Sequence, residues 1–183
     1  MGSTVGVPSI VDGKHRSHSN VRRAEDVRPR LTVRFSGNSV CPSSMNLERL
    51  DHVGVAVEDE TQARAVLEDV FGCASPTEET VEDQRVRTLI YQLGDAKVEL
   101  LVPTSDESPI AKHLEKRGEG LHHVAFEVDD VEHAIETVDA SELEMIDEEP
   151  RTGVEGSEIA FVHPKGTFGT LLELVAFSGG RTG

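Results

Sequence analysis

The chain has 183 residues, with 34 Asp and Glu against 18 Lys and Arg, and a formal net charge of −16. That length allows one ordinary domain, or one domain made of two small halves, and that charge argues against nucleic acid or an anionic membrane as a partner. There is no apolar run of about 18 residues for a membrane span and no apolar h-region for a secretory signal, so neither is expected.

The charge is unevenly placed. Residues 1–44 hold seven Lys/Arg and three Asp/Glu, a net of +4, whereas residues 45–183 hold 11 and 31, a net of −20. The first 44 residues have no sustained apolar periodicity and too few apolar side chains to offset the entropy of ordering them. They read as a disordered basic tail or an over-extended gene start, with Met45 the initiator. The acid excess of the body, with only four lysines, suits a salt-rich cytosol in which self-repulsion is screened. Of the two cysteines, Cys41 falls in the tail and Cys73 in the body, so no disulfide is expected and a reducing, cytoplasmic compartment fits.

In chain order, "LDHVGVAV" from Leu50 reads as a strand. In "EDETQARAVLEDVFG", Ala63, Val66, Leu67, Val70 and Phe71 recur at helical spacing. "RVRTLIYQL" and "AKVELLVP" are strand-like runs joined by Gly-Asp, a hairpin signal. "SPIAKHLEKRG" from Ser108 predicts a short linker helix over about 108–117 that Gly118 stops. The pattern then repeats. "LHHVAFEV" from Leu121 copies the first strand, and "DDVEHAIETVDA" sets Val131, Ala134, Ile135 and Val138 on one helical face. "EIAFVHP", "KGTFG" and "TLLELVAF" supply two more strands and their turn. The offset is 71 residues from His52 to His123, from Ala63 to Ala134 and from Leu67 to Val138, and 74 from Glu99 to Glu173. The body is therefore a duplication of strand, helix and about three strands, with modules over about 47–103 and 119–177.

Alternation assigns the faces. Val98, Leu100 and Val102 turn to the helices, as do Leu172, Leu174 and Ala176, which leaves Lys97, Glu99 and Leu101, and Glu173, on the other side. His52 shares its face with Gly54 and Ala56, and His123 with Ala125, so small neighbours leave room beside both rings. His122 falls on the opposite face and is expected outside the concavity. Two His and two carboxylates at equivalent places of a duplicated unit make a site for one divalent metal, with Co, Mn, Ni, Zn or Fe all compatible and no thiolate to suggest a closed structural zinc site. The candidate ligands are His52, Glu99, His123 and Glu173.

These motifs, with "SPIAKHLEKRGEGLHHVAFEVDDVE", "IDEEPRTG" and "FVHPKGTFGTLLELV", resemble the vicinal oxygen chelate superfamily and, within it, the methylmalonyl-CoA epimerases, over roughly Leu47 to Phe177. The resemblance implies an α+β fold of two tandem βαβββ modules that form a cup-shaped mixed sheet around a metal. Carried over, the family's ligands fall on His52, Glu99, His123 and Glu173. It also implies a methylmalonyl-CoA substrate, epimerised by removal and return of the C2 proton, with Glu173 and Glu99 as the catalytic carboxylates. Some bacterial relatives place a proposed catalytic Glu near Thr88, where this chain has "RVRTLIY" and no carboxylate. A homodimer fits the superfamily.

A CoA substrate brings phosphates that local cations must meet. Lys165 and Arg151, in segments read as irregular, are the expected substrate-binding residues. Lys112 and Lys116 are read as solvent-facing partners of Glu115 and Glu119. Three other activities use related machinery: a glyoxalase I-type lyase acting on a glutathione hemithioacetal, a ring-cleaving dioxygenase, and a non-catalytic small-molecule-binding module. The fourth ligand, Glu99, argues against the dioxygenase, which normally uses two His and one Glu.

Overall fold

The structure is a computed structural model and describes residues 45–178. The expected tail and Cys41 lie outside the described residues. The first module comprises β1 (Arg49–Ala56), α1 (Glu60–Arg64), β2 (Thr77–Val81), β3 (Val86–Leu93) and β4 (Ala96–Pro103). A linker helix, α2 (Pro109–Arg117), leads to the second module: β5 (Gly120–Glu127), α3 (Val131–Asp139), β6 (Arg151–Thr152), β7 (Glu158–Val162) and β8 (Leu171–Ala176). Both modules are βαβββ, as the duplication predicts.

All eight strands form one mixed sheet in the order β2-β3-β4-β1-β5-β8-β7-β6, which reads the same from either end once the modules are matched. Each first strand runs parallel to the last strand of its own module, and β1 and β5 meet antiparallel at the centre. The histidine-bearing strands are thus neighbours, and each is flanked by the glutamate-bearing strand of its own half.

The helices form where their ends are capped and one face is apolar. Ser108 accepts from the Ile110 N–H at the start of α2, Pro109 occupies the first turn, and Gly118 ends the helix at φ 74°. Asp130 accepts from the His133 N–H to start α3. The stripe Val131, Ala134, Ile135 and Val138 then packs on Ala160, Val162, Leu174 and Ala176, the face that alternation assigns to the helices.

The first helix departs from its predicted stripe. After α1 the chain widens into a π-helical segment, Ala65–Val70, in which the Phe71 N–H bonds to the Val66 carbonyl five residues back. The wider turn rotates later residues away from the sheet. Ala63 and Leu67 pack beneath with Leu89, Tyr91 and Leu100, while Val66, Val70 and Phe71 are exposed. Among the described residues no helix is long and apolar enough to cross a membrane.

Candidate metal centre

The concave side of the central strands gathers the predicted ligands. In the ladder, Gly54 lies opposite both Glu99 on β4 and His123 on β5, and Ala125 lies opposite both His52 on β1 and Glu173 on β8. The small residues are required. A Cβ added at Gly54 would lie 2.3 Å from His123 Cε1, closer than two carbons approach, so the ring of His123 occupies the space a side chain would take.

His52, His123 and Glu173 are all buried and offer ligand atoms within 4.8 Å of one another. The two Nε2 atoms are 2.9 Å apart. Glu173 Oε2 is 3.2 Å from His123 Nε2, and its Oε1 is 3.8 Å from His52 Nε2. Glu99 adjoins this trio, with Oε2 3.7 Å from His52 Nε2, and its buried Oε1 has no hydrogen-bond partner. Two buried carboxylates and two imidazoles converging on one point, one oxygen left unpartnered, form a donor set suited to a divalent cation.

The electrostatics of the metal-free cluster agree. Burial is the largest influence on Glu173 and pushes its pKa up to about 7, with the charge of Glu99 adding to the rise. Burial likewise raises Glu99. His123 is held well below the usual histidine range by burial and by the neighbouring His52 and His122. For His52, burial opposes protonation, but its hydrogen bond to Asp51 and the charges of Glu99 and Glu173 outweigh it, so its pKa is raised.

Two residues beside the histidines escape strict alternation: it passes over Asp51 and sends His122 to the wrong face. The β1–β5 register skips Asp51 on one strand and His122 on the other, so each is an extra residue in a β-bulge directly before its histidine. Strict alternation fails at both. Asp51 is fully buried and its Oδ2 lies 2.9 Å from His52 Nδ1. His122, expected outside the concavity, instead lines it and sets its Nδ1 2.9 Å from His123 Nδ1; burial and the nearby His113 and Arg117 bring its pKa down to about 4.

The ligands face a small inner cavity of about 50 Å³, lined by Glu99, His123 and Glu173 together with Thr88, Gln84 and Phe161. Gln84, Val86, Ile110, His122 and Phe161 also line a larger groove of about 270 Å³ that reaches Arg151. Arg151 lies on the short strand β6, not in an irregular segment, and pairs with Asp147. His122, Pro109, Ile146 and Leu171 continue into a third space of about 320 Å³, whose wall carries Lys112, Lys116, Arg117 and His163. None of these three cations forms an ion pair among the described residues, and Glu119 is turned to the Glu58 and Asp59 N–H groups, so the expected pairing of Lys112 and Lys116 with Glu115 and Glu119 is absent. Lys165 is exposed, in the turn after His163.

A profile of the Glyoxalase/Bleomycin resistance protein/Dioxygenase superfamily matches residues 51–161. The chain belongs to this superfamily. The uncharacterized protein YqjC of Bacillus subtilis is 41% identical over 128 residues, 70% of this chain and 91% of YqjC. The mitochondrial methylmalonyl-CoA epimerase of Homo sapiens is 35% identical over 152 residues, 80% of this chain and 86% of that protein. The structure of a variant methylmalonyl-CoA epimerase of Streptomyces coelicolor in complex with 2-nitronate-propionyl-CoA superposes with a TM-score of 0.71 at 33% identity, covering 75% of this chain and all of that one. The cup of two βαβββ modules is thus the fold of this superfamily.

Proposed function

We propose that the chain is a metal-dependent methylmalonyl-CoA epimerase, interconverting the 2R and 2S forms of its substrate. The observation that carries this reading is the convergence of His52, His123, Glu173 and Glu99, with Glu99 Oε1 unpartnered, in a chain whose relatives include methylmalonyl-CoA epimerases. A divalent ion, Co, Mn, Ni, Zn or Fe, held by these four residues would supply Lewis acidity to the substrate's carbonyl oxygens.

The protein's own groups then move the proton. C2 of a 2-methylmalonyl thioester is acidified by its two flanking carbonyls. Glu173 is the proposed base, since it is buried at the floor of the inner cavity. Glu99, its counterpart in the other module, is the second proposed catalytic carboxylate; to return a proton to C2 it would have to leave the ion and take up a proton from solvent, since a coordinated carboxylate stays ionised. Thr88, buried in the same cavity, has no carboxylate to offer, which supports Glu99 as the second group in this reading. The inner cavity suits the acyl end, and the adjoining grooves suit the CoA carrier. There we assign Lys112, Lys116 and Arg117 to the phosphates with Arg151 and Lys165, because the α2 cations line the groove and are free of ion pairs among the described residues.

Deuterium exchange at C2 of methylmalonyl-CoA in heavy water, with chelator and then with each metal, tests the reading. Metal-dependent wash-in of one deuterium is expected. No exchange with any metal refutes it, and turnover of methylglyoxal with glutathione in its place would move the chain to the glyoxalase class.

A further inference from the structure

The two modules share a backbone but not the chemistry behind their histidines. In the first, the bulge residue is Asp51, and its Oδ2 meets both His52 Nδ1 at 2.9 Å and Lys97 Nζ at 3.1 Å. Lys97 is itself fully buried, on the same β4 face as Glu99, and pairs across the strands with His52. Its ammonium is held from the far side by Glu155 Oε2 at 2.9 Å and lies 5.0 Å from the centroid of the Phe177 ring. A lysine is seldom buried so completely, and two carboxylates and an aromatic face account for it here. In the second module the duplication offers the same two positions and fills them differently: His122 replaces Asp51, and Leu171 replaces Lys97 opposite the histidine.

We propose that Lys97 is a positioning residue of the metal centre: through Asp51 it locks the His52 ring with its Nδ1–H on a carboxylate and its Nε2 facing the ligand cluster, making His52 the strong imidazole donor and His123 the weak one. This rests on the metal centre proposed above. A carboxylate behind a ligating imidazole fixes the tautomer and ring orientation and raises ligand basicity; a neutral imidazole, the partner of His123, adds no such charge. Lys97 does its part by pinning the one Asp51 oxygen that His52 uses. Without that ammonium the buried Asp51 charge would lose its compensating partner on the oxygen that His52 uses.

Calorimetric titration of the chelator-treated full chain with CoCl2 tests this. Lys97→Met, close in length and uncharged, is expected to weaken Co binding by about 10–100-fold, and Asp51→Asn by a similar factor. The double variant should bind no more weakly than Asp51→Asn alone, because Lys97 acts through Asp51. A Lys97→Met protein that binds Co within twofold of wild type, or single effects that multiply in the double variant, overturns the inference. If Lys97→Met does not fold by circular dichroism, ring ¹⁵N NMR of the metal-free wild type, at a pH high enough for His52 to be neutral, decides: the Nδ1–H tautomer of His52 is expected, and the Nε2–H tautomer overturns the inference. A wild type that binds no Co removes the metal centre itself, whereas a wild type that binds beside an equally good Lys97→Met removes only the role of Lys97.

Discussion

Glu173→Gln separates the cost of burying an ionised carboxylate from the rest of the fold. In the metal-free protein, burial sets the Glu173 pKa at about 7, against an ordinary value of 4.5. Between those values the unfolded chain has lost the proton and the folded chain keeps it. Wild-type stability therefore falls as pH rises through this window. From pH 5.5, safely above the sequence pI of 4.8, up to pH 8, the loss from this group is about 2 kcal/mol at about 1.4 kcal/mol per unit. Gln cannot ionise, so the variant escapes that loss. Urea unfolding with chelator present, for both proteins at pH 5.5 and pH 8, should show the variant gaining about 2 kcal/mol relative to wild type across the interval. Saturating metal should abolish the gain, because a cation turns the ionised carboxylate into a stabilising ligand. A difference between the two proteins that stays flat with pH in chelator would refute the account.

Further outcomes follow from the same geometry. Adding a divalent metal at about 100 times its Kd should raise unfolding stability by about 2.7 kcal/mol, and chelator should reverse it, as read by urea titration. Gly54→Ala should displace the His123 ring; it should abolish stoichiometric metal binding by calorimetry and cost about 1–3 kcal/mol of stability. Turnover in Glu173→Gln, assayed at saturating metal, should fall by about 10²–10⁴-fold, with the KM for methylmalonyl-CoA little changed in steady-state assays. Joint replacement of Lys112 and Arg117 by Ala should raise that KM several-fold and flatten its dependence on salt, and Lys165→Ala should raise it less, since Lys165 is exposed beyond the groove wall.

The duplication was legible because the 71-residue offset persists through both a strand and a helix, and period-2 alternation on β4 and β8 correctly separates Leu100 and Leu174 from Glu99 and Glu173. What the pattern missed lies wherever the backbone leaves ideal geometry. A bulge adds one residue to a strand, so alternation sends His122 out of the concavity and says nothing of Asp51 reaching around to His52. The π-helical turn does the same to a helical period, which is why Val70 and Phe71 look like core in the sequence and are exposed in the structure. Lys97 gave a readable hint, an inward lysine two residues from an inward glutamate. Its partner Glu155, however, is 58 residues away in a turn with φ 56°, beyond any local rule. The cations of α2 escape a local rule because i, i+3 spacing, from Lys112 to Glu115 and from Lys116 to Glu119, describes a helix surface in isolation, and Glu119 is drawn off by the backbone of Glu58 and Asp59.

The antiparallel seam of β1 with β5 divides ownership of the centre evenly: one imidazole and one carboxylate come from each side of it. An ion seated there is a cross-brace between the amino-terminal and carboxy-terminal halves, joined elsewhere along the chain only by the α2 connector. Occupancy and docking of the halves are then one equilibrium. If the proposed ion binds all four residues, a change that lets the seam part would loosen every one of its bonds together, and an ion that grips them would draw the seam shut.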